Sequence, residues 1–170
     1  MQQLGFKLLN DISWVKPNPP PNLSCRYFTH ATETIIWAAK DKKSRHTFNY
    51  KLMKETNHGK QMKSVWTIPP PEPWEKKFGK HPTQKPVGLL ERILLASTNE
   101  GDLVLDPFCG SGTTALAAIR TKRIFRGIEI DSKWIRVSIQ RIKEQTGGQL
   151  RITLTDAPQL ELRAIATSAD

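Results

Sequence analysis

Apolar positions gather in two short stretches near the amino terminus. Leu8 to Lys16 (LLNDISWVK) and Glu33 to Ala39 (ETIIWAA) are rich in β-branched or aromatic residues and bounded by Pro and polar clusters, which predicts two strands. Pro17-Asn18-Pro19-Pro20-Pro21 between them is too poor in backbone donors to join a ladder and predicts a loop. After Lys85 the spacing becomes helical. Pro86 suits a first turn, and Val87, Leu89, Leu90, Ile93, Leu94 and Ala96 form a broad apolar face before the turn Asn99-Glu100-Gly101-Asp102. Leu103-Val104-Leu105 reads as a short buried strand, followed by a loop from Asp106 to Gly112 and a helix through Ala115, Leu116, Ala118 and Ile119. Ile124 to Ile130 predicts a second strand, and Ser132 is a candidate cap for a helix whose face carries Ile135, Ser138, Ile139 and Ile142. Gly147-Gly148 ends that helix, and Leu150, Ile152 and Leu154 predict a third strand. Strand, helix, strand, helix, strand is the order of an α/β fold with a parallel sheet. The tail after Pro158 carries only weak patterning.

A chain of 170 residues has room for one ordinary domain with a real core. Its formal charge of +10, from 26 Lys and Arg against 16 Asp and Glu, favours polyanionic partners. Residues 40–85 hold most of that surplus, with twelve Lys or Arg against four Asp or Glu. Phe48, Tyr50, Trp66, Trp74 and Phe78 are interleaved with these charges, and Pro69, Pro70, Pro71 and Pro73 break helices. An irregular basic segment with aromatics suits a phosphate backbone and stacked bases. It equally suits a solvated loop anchored by its aromatics. Lys42, Lys43, Arg45, Lys51 and Lys54 are the candidate nucleic-acid contacts. With only Cys25 and Cys109, neither a disulfide framework nor a metal site is expected. No 18-residue apolar run and no secretion signal is visible, so the expected location is the cytoplasm, with no membrane partner.

Gly110-Ser111-Gly112-Thr113-Thr114 lies between a predicted strand and a predicted helix, where backbone N–H groups can approach a ligand at the positive helix end. Glu129 ends the next strand, 23 residues past Asp106, where a carboxylate can accept from ribose hydroxyls. No Lys follows the glycines, which excludes a P-loop. A dinucleotide fingerprint can be fitted to Gly110, Gly112 and Ala115, but Asp106-Pro107-Phe108-Cys109 intervenes where the fingerprint requires the strand end. A dinucleotide oxidoreductase is therefore a distant rival.

The string Asp106-Pro107-Phe108-Cys109-Gly110-Ser111-Gly112-Thr113-Thr114 resembles the cofactor loop of DNA amino-methyltransferases, and His81-Pro82-Thr83-Gln84-Lys85-Pro86 resembles their second cofactor element. Their order, about 20 residues apart, is that of the permuted group in which the cofactor half follows the catalytic half. Trp14-Val15-Lys16, Asn18-Pro19 and Glu33-Thr34-Ile35-Ile36 extend the resemblance over most of residues 1–155. It implies a Rossmann-like class I S-adenosylmethionine-dependent methyltransferase fold, incomplete at its amino-terminal strands. S-adenosylmethionine is the implied cofactor. Asp106, Gly110 and Gly112 would hold its methionine part, Thr83 and Lys85 would close over it, Glu129 would hold the ribose, and Phe108 would lie near adenine or sulfonium. The other readings are a cap for Asp106, a solvated charge for Lys85, a core position for Phe108 and an exposed strand end for Glu129.

The implied substrate is double-stranded DNA, with adenine N6 the first expectation and cytosine N4 the alternative. The implied organisation is a catalytic remnant over 1–40, a basic target-recognition region over 41–80, a cofactor half over 81–157 and a tail over 158–170. The family's catalytic loop, Asp or Asn followed by Pro-Pro and Tyr or Phe, has only Asn18-Pro19-Pro20-Pro21 as a counterpart, and its fourth position is not aromatic. It also follows Trp14-Val15-Lys16, which in the family comes after the catalytic loop. No catalytic residue is therefore expected here, Asn18 being a weak candidate. The expectation is a truncated or split chain, either completed by a separate polypeptide that carries the catalytic loop or read from a degenerate or incompletely recorded frame, or else a non-catalytic module that retains cofactor or DNA binding.

Overall fold

The computed structural model describes residues 1–147 and the backbone of 150–155 and 160–166. Gly148, Pro158 and the last four residues, on which parts of the sequence reading fall, lie outside the described residues. Met1–Pro70 form one compact unit, and a second begins at Pro71, inside the basic segment.

In the first unit the two expected strands, β1 (Lys7–Val15) and β2 (Thr32–Ala39), pair antiparallel from Lys7↔Ala39 to Val15↔Thr32. Ile12 and Trp14 are buried from β1, and the indole Nε1 of Trp14 donates to the Ile68 carbonyl at 2.7 Å. Lys16 closes the hairpin with an ion pair to Glu33 at 2.6 Å. A third strand, β3 (Val65–Thr67), lies parallel to β1 on its other edge. The segment read as irregular thus contributes β3 and also a short helix, α1 (Tyr50–Thr56). Both depend on tertiary contacts rather than periodicity: α1 is seven residues long and held by buried Met53, too short for a helical stripe to show.

In the second unit Pro86, at φ −70°, precedes α2 (Val87–Ser97), which buries Val87, Leu89, Leu94 and Ala96. The helix end is held by buried Arg123, whose Nε donates to Thr98 Oγ1 at 2.9 Å and whose Nη2 donates to the Thr98 carbonyl at 2.6 Å. β4 (Leu103–Asp106), α3 (Thr113–Arg120), β5 (Ile124–Glu129) and α4 (Ser132–Thr146) follow where they are predicted, but β4 is not the buried strand expected: of its apolar residues only Val104 is buried. The cap of α4 is Asp131 rather than Ser132: its Oδ1 accepts from the Lys133 amide at 2.8 Å, and an ionised carboxylate suits the positive helix end better than a hydroxyl. Gly147 ends α4 in the left-handed conformation at φ +59°. The core joins Val104, Leu116, Phe125, Ile135 and Ile142 to the small residues Ala115, Ala117 and Ala118, which allow α3 to lie close to the sheet. Each fully buried large side chain here contributes ~1.5–3 kcal/mol.

The sheet is not all parallel. Its order is β4-β5-β7-β6, with β6 (Leu150–Thr155) the expected third strand and β7 (Leu160–Ala166) inserted antiparallel between β5 and β6. The tail therefore forms a strand that sequence pattern alone did not reveal. A strand that returns directly from β6 must run against it, whereas β6, reached through α4, keeps the direction of β5. β4 lies at the end of this sheet, with Leu103 and Leu105 56% and 58% exposed. Among the described residues no helix is long and apolar enough to cross a membrane.

Candidate functional site

The glycine-rich loop leaves β4 at Asp106, and three anchors hold its path. The Asp106 carboxylate accepts from the Phe108 amide at 3.0 Å and from Thr114 Oγ1 at 2.6 Å, spanning the loop from strand to helix. Asp106 thus does cap the turn it begins. The Cys109 amide donates to the Ile128 carbonyl of β5 at 2.9 Å. The Gly110 amide donates to Glu129 Oε2 at 2.8 Å, while Glu129 Oε1 accepts from the Asp131 amide at 3.0 Å. Glu129 is therefore not a bare strand-end charge but the joint between the loop and the start of α4. Four lone-pair sites on a carboxylate leave it acceptor capacity beyond these two bonds.

Both loop glycines are required by geometry. Gly110 and Gly112 have φ of +51° and +77°, the region L side chains disfavour. A β-carbon on Gly112 would lie 2.1 Å from Ser138 Oγ, and one on Gly110 would lie 3.3 Å from His81 Nε2. The second contact shows where the upstream element sits. His81 stacks edge-on against Trp134 of α4 with centroids 4.4 Å apart, and its Nδ1 accepts from the Thr83 amide at 3.3 Å. Gln84 Oε1 accepts from Ser111 Oγ at 3.2 Å. The strings His81–Pro86 and Asp106–Thr114 thus meet at the loop through His81 and Gln84. Thr83 is exposed and Lys85 half-buried beside them. Phe108 is 88% exposed, which excludes the core reading.

Cys109 is buried, and burial first, then the charges of Asp106 and Glu129, push its thiol up to about 12. It is a neutral packing group at physiological pH, not a nucleophile. Gln84, Ser111, Glu75 and Arg141 are residues the sequence reading did not single out. Arg141 Nη1 donates to the Ser111 carbonyl at 2.6 Å. Burial lowers the guanidinium to about 10, against the pull of Glu75, so it remains charged. Only Gln84 and Ser111 had a sequence signal, as members of the two motif strings.

The donor set fits S-adenosylmethionine: glycine backbone without β-carbons at Gly110 and Gly112, and a carboxylate, Glu129, at the next strand end.

In the first unit the candidate nucleic-acid contacts Lys42, Lys43, Arg45, Lys51 and Lys54 are all exposed. Asp41 shapes their loop by accepting from the Lys43 and Ser44 amides, each at 2.8 Å, and bonding to Ser44 first and to those amides next lowers its carboxyl from the usual range. The aromatics divide. Trp66 is buried and anchored through Nε1 to the Lys63 carbonyl, while Trp37, Phe48 and Tyr50 form a partly exposed ladder with centroid steps of 5.5 and 6.3 Å. Asn18 is exposed in the loop after β1.

Comparison with known proteins gives consistent matches. A family model described as DNA methylase matches residues 1–140. The chain is 59% identical over 146 residues to the type II methyltransferase M2.DpnII of Streptococcus pneumoniae, covering 85% of this chain and 54% of that protein. It is 53% identical over 146 residues to M2.MboI of Moraxella bovis, covering 86% of this chain and 54% of the relative. The chain spans about half the length of the curated relatives it matches. Among solved structures, an M1.HpyAVI complex with S-adenosylmethionine gives a TM-score of 0.70 at 37% identity, covering 83% of this chain and 65% of that one. The cytosine-N4-specific PvuII DNA methyltransferase gives 0.68 at 25% identity, covering 82% of this chain and 52% of that one.

Proposed function

The chain belongs to the DNA methylase family, and from that premise we propose that it serves a site-specific DNA methyltransferase acting in the cytoplasm on a base amino group, adenine N6 first. Its fold is the class I S-adenosylmethionine-dependent methyltransferase fold, as the sequence led one to expect. The cofactor supplies an electrophilic methyl group on a sulfonium. Asp106, Gly110 and Gly112 hold its methionine part, Thr83 and Lys85 close over it, Glu129 takes the ribose hydroxyls, and exposed Phe108 offers an apolar face to the adenine or sulfonium. Lys42, Lys43, Arg45, Lys51 and Lys54 contact the phosphates of double-stranded DNA, and residues 41–80 contribute to target choice. The catalytic loop is not assigned to any of residues 1–170.

The observation that carries this reading is the Glu129–Gly110 bond, which joins the ribose-side carboxylate to the glycine loop. Adenine is preferred over cytosine because His81–Pro86 resembles the adenine members. A second reading, a binding module without chemistry, is favoured by Asn18-Pro19-Pro20-Pro21, which lacks an aromatic fourth residue. Calorimetry on the purified chain should show S-adenosylmethionine binding that Asp106→Ala weakens strongly. Equal binding by wild type and variant removes the site assignment.

A further inference from the structure

The glycine loop is held from a second side by groups with no part in the proposed cofactor contacts. Arg141 on α4 and Glu75, in the single helical turn Trp74–Lys76, have side chains only 3% exposed. Arg141 Nη1 donates to the Ser111 carbonyl at 2.6 Å, to Ser111 Oγ at 3.0 Å and to Thr113 Oγ1 at 3.2 Å. Its Nη2 faces Glu75 Oε2 at 3.8 Å. Glu75 is itself fixed, accepting from the Val87 amide at 2.9 Å and from the Glu72 amide at 3.2 Å. Gln84 closes the circuit: its Nε2 donates to the Glu75 carbonyl at 2.8 Å and its Oε1 accepts from Ser111 Oγ.

Stability does not explain this arrangement. Burying two ions costs several kcal/mol each, and well-packed apolar side chains often replace such a pair without loss. The pairing here is also incomplete, since Arg141 Nε and Nη2 have no hydrogen-bond partner among the described residues. Charge-assisted donation to a loop carbonyl, however, fixes backbone in a way that an apolar side chain cannot. The three bonds fall on Ser111 and Thr113, the residues flanking Gly112 at its positive φ.

We propose that Arg141, held by Glu75, is a positioning residue for cofactor binding, locking the left-handed path of the glycine loop between Glu129 on one side and α4 on the other. The role rests on the reading of this loop as the S-adenosylmethionine site. Through Gln84 the same pair ties the His81–Pro86 element to that loop.

The test compares the wild-type chain with Arg141→Met, Glu75→Gln/Arg141→Met and Thr113→Val by thermal melting, amide hydrogen exchange over 109–114 and calorimetry with S-adenosylmethionine. Arg141→Met alone should melt early, because Glu75 is left buried and unpaired. The double variant should recover part of the melting temperature, since the amide side chain still accepts from one of the Val87 and Glu72 N–H groups, yet exchange its loop amides at least tenfold faster and bind cofactor at least tenfold more weakly. Thr113→Val, which removes one acceptor only, should move exchange and affinity the same way by less. A double variant with wild-type exchange and affinity overturns the proposal, as does an unmoved Thr113→Val should the double variant fail to fold. If the wild type does not bind cofactor, the cofactor reading and this role both fall, whereas unchanged exchange in a folded variant overturns the positioning role alone.

Discussion

The Glu129 carboxylate accepts from the Gly110 amide at 2.8 Å and thereby fixes the glycine loop to the end of β5 before any ligand enters. Its other oxygen holds the Asp131 amide at 3.0 Å. Glu129→Gln keeps one acceptor but turns the other position into a donor facing an N–H, so one amide must lose its partner. Hydrogen bonds to charged groups contribute ~1.5–3 kcal/mol to stability. Thermal melting of Glu129→Gln should show a loss of that order, and calorimetry with S-adenosylmethionine should show weakened binding as the loop loses its anchor.

Gly112 gives the most severe steric prediction. Ala at this position meets Ser138 Oγ at 2.1 Å and Cβ at 2.8 Å while forced to φ +77°. Left-handed strain alone costs ~1–2 kcal/mol for a residue with a β-carbon, and the overlap adds to it. Gly112→Ala should lower the melting temperature clearly and abolish cofactor binding. Adding Ser138→Ala removes the closest contact and should restore part of the stability, which the same melting curves would show.

What the sequence disclosed and what it concealed divide along a physical line. The elements around the loop were legible because the short apolar run Leu103–Leu105, the helical spacing at Ala115–Ile119 and the apolar segment from Ile124 follow one another with turn residues between them. The loop itself was legible because positive φ and close approach demand Gly110 and Gly112. The Arg141 clamp was not: Arg141 and Glu75 are 66 residues apart in the chain, and nothing local marks a Lys- or Arg-rich helix position as buried. β7 was missed because its four-residue apolar–polar alternation gives way to Ala164-Ile165-Ala166. α1 and β3 were missed because each owes its existence to packing in the first unit rather than to local pattern.

DNA affinity should be mainly electrostatic and reside in the exposed cations of residues 42–54. Each phosphate contact contributes about 0.9 to the slope of log affinity against log salt. Replacing Lys42, Lys43 and Arg45 together by Ser should flatten the slope measured by fluorescence anisotropy on duplex DNA. An unchanged slope would return the segment to a solvated surface whose aromatics merely anchor it.

The 170-residue chain alone should not methylate DNA. A weakly nucleophilic aromatic amine must be held in line with the sulfonium methyl, and such positioning supplies ~7–11 kcal/mol of a barrier. The target base must also leave the helix and stack against an aromatic side chain. Asn18 has a suitable amide, but Pro19, Pro20 and Pro21 follow it, and it lies exposed in the loop after β1. The hydrogen bonds of Asp106, Glu129 and Gln84 serve the geometry of the glycine loop: Asp106 with Phe108 and Thr114, Glu129 with Gly110 and Asp131, Gln84 with Ser111. β4, from which the loop departs, pairs with β5 on one edge only among the described residues and exposes Leu103 and Leu105, so a further strand can add there. Labelled-methyl transfer to mixed-sequence duplex DNA should therefore stay at background for residues 1–170 alone and rise only when a segment carrying Asp-Pro-Pro-Tyr or its equivalent is supplied, joined to them or separate. Strong turnover by the isolated chain that vanishes in Asn18→Ala would make Asn18-Pro19-Pro20 the catalytic loop and overturn this account.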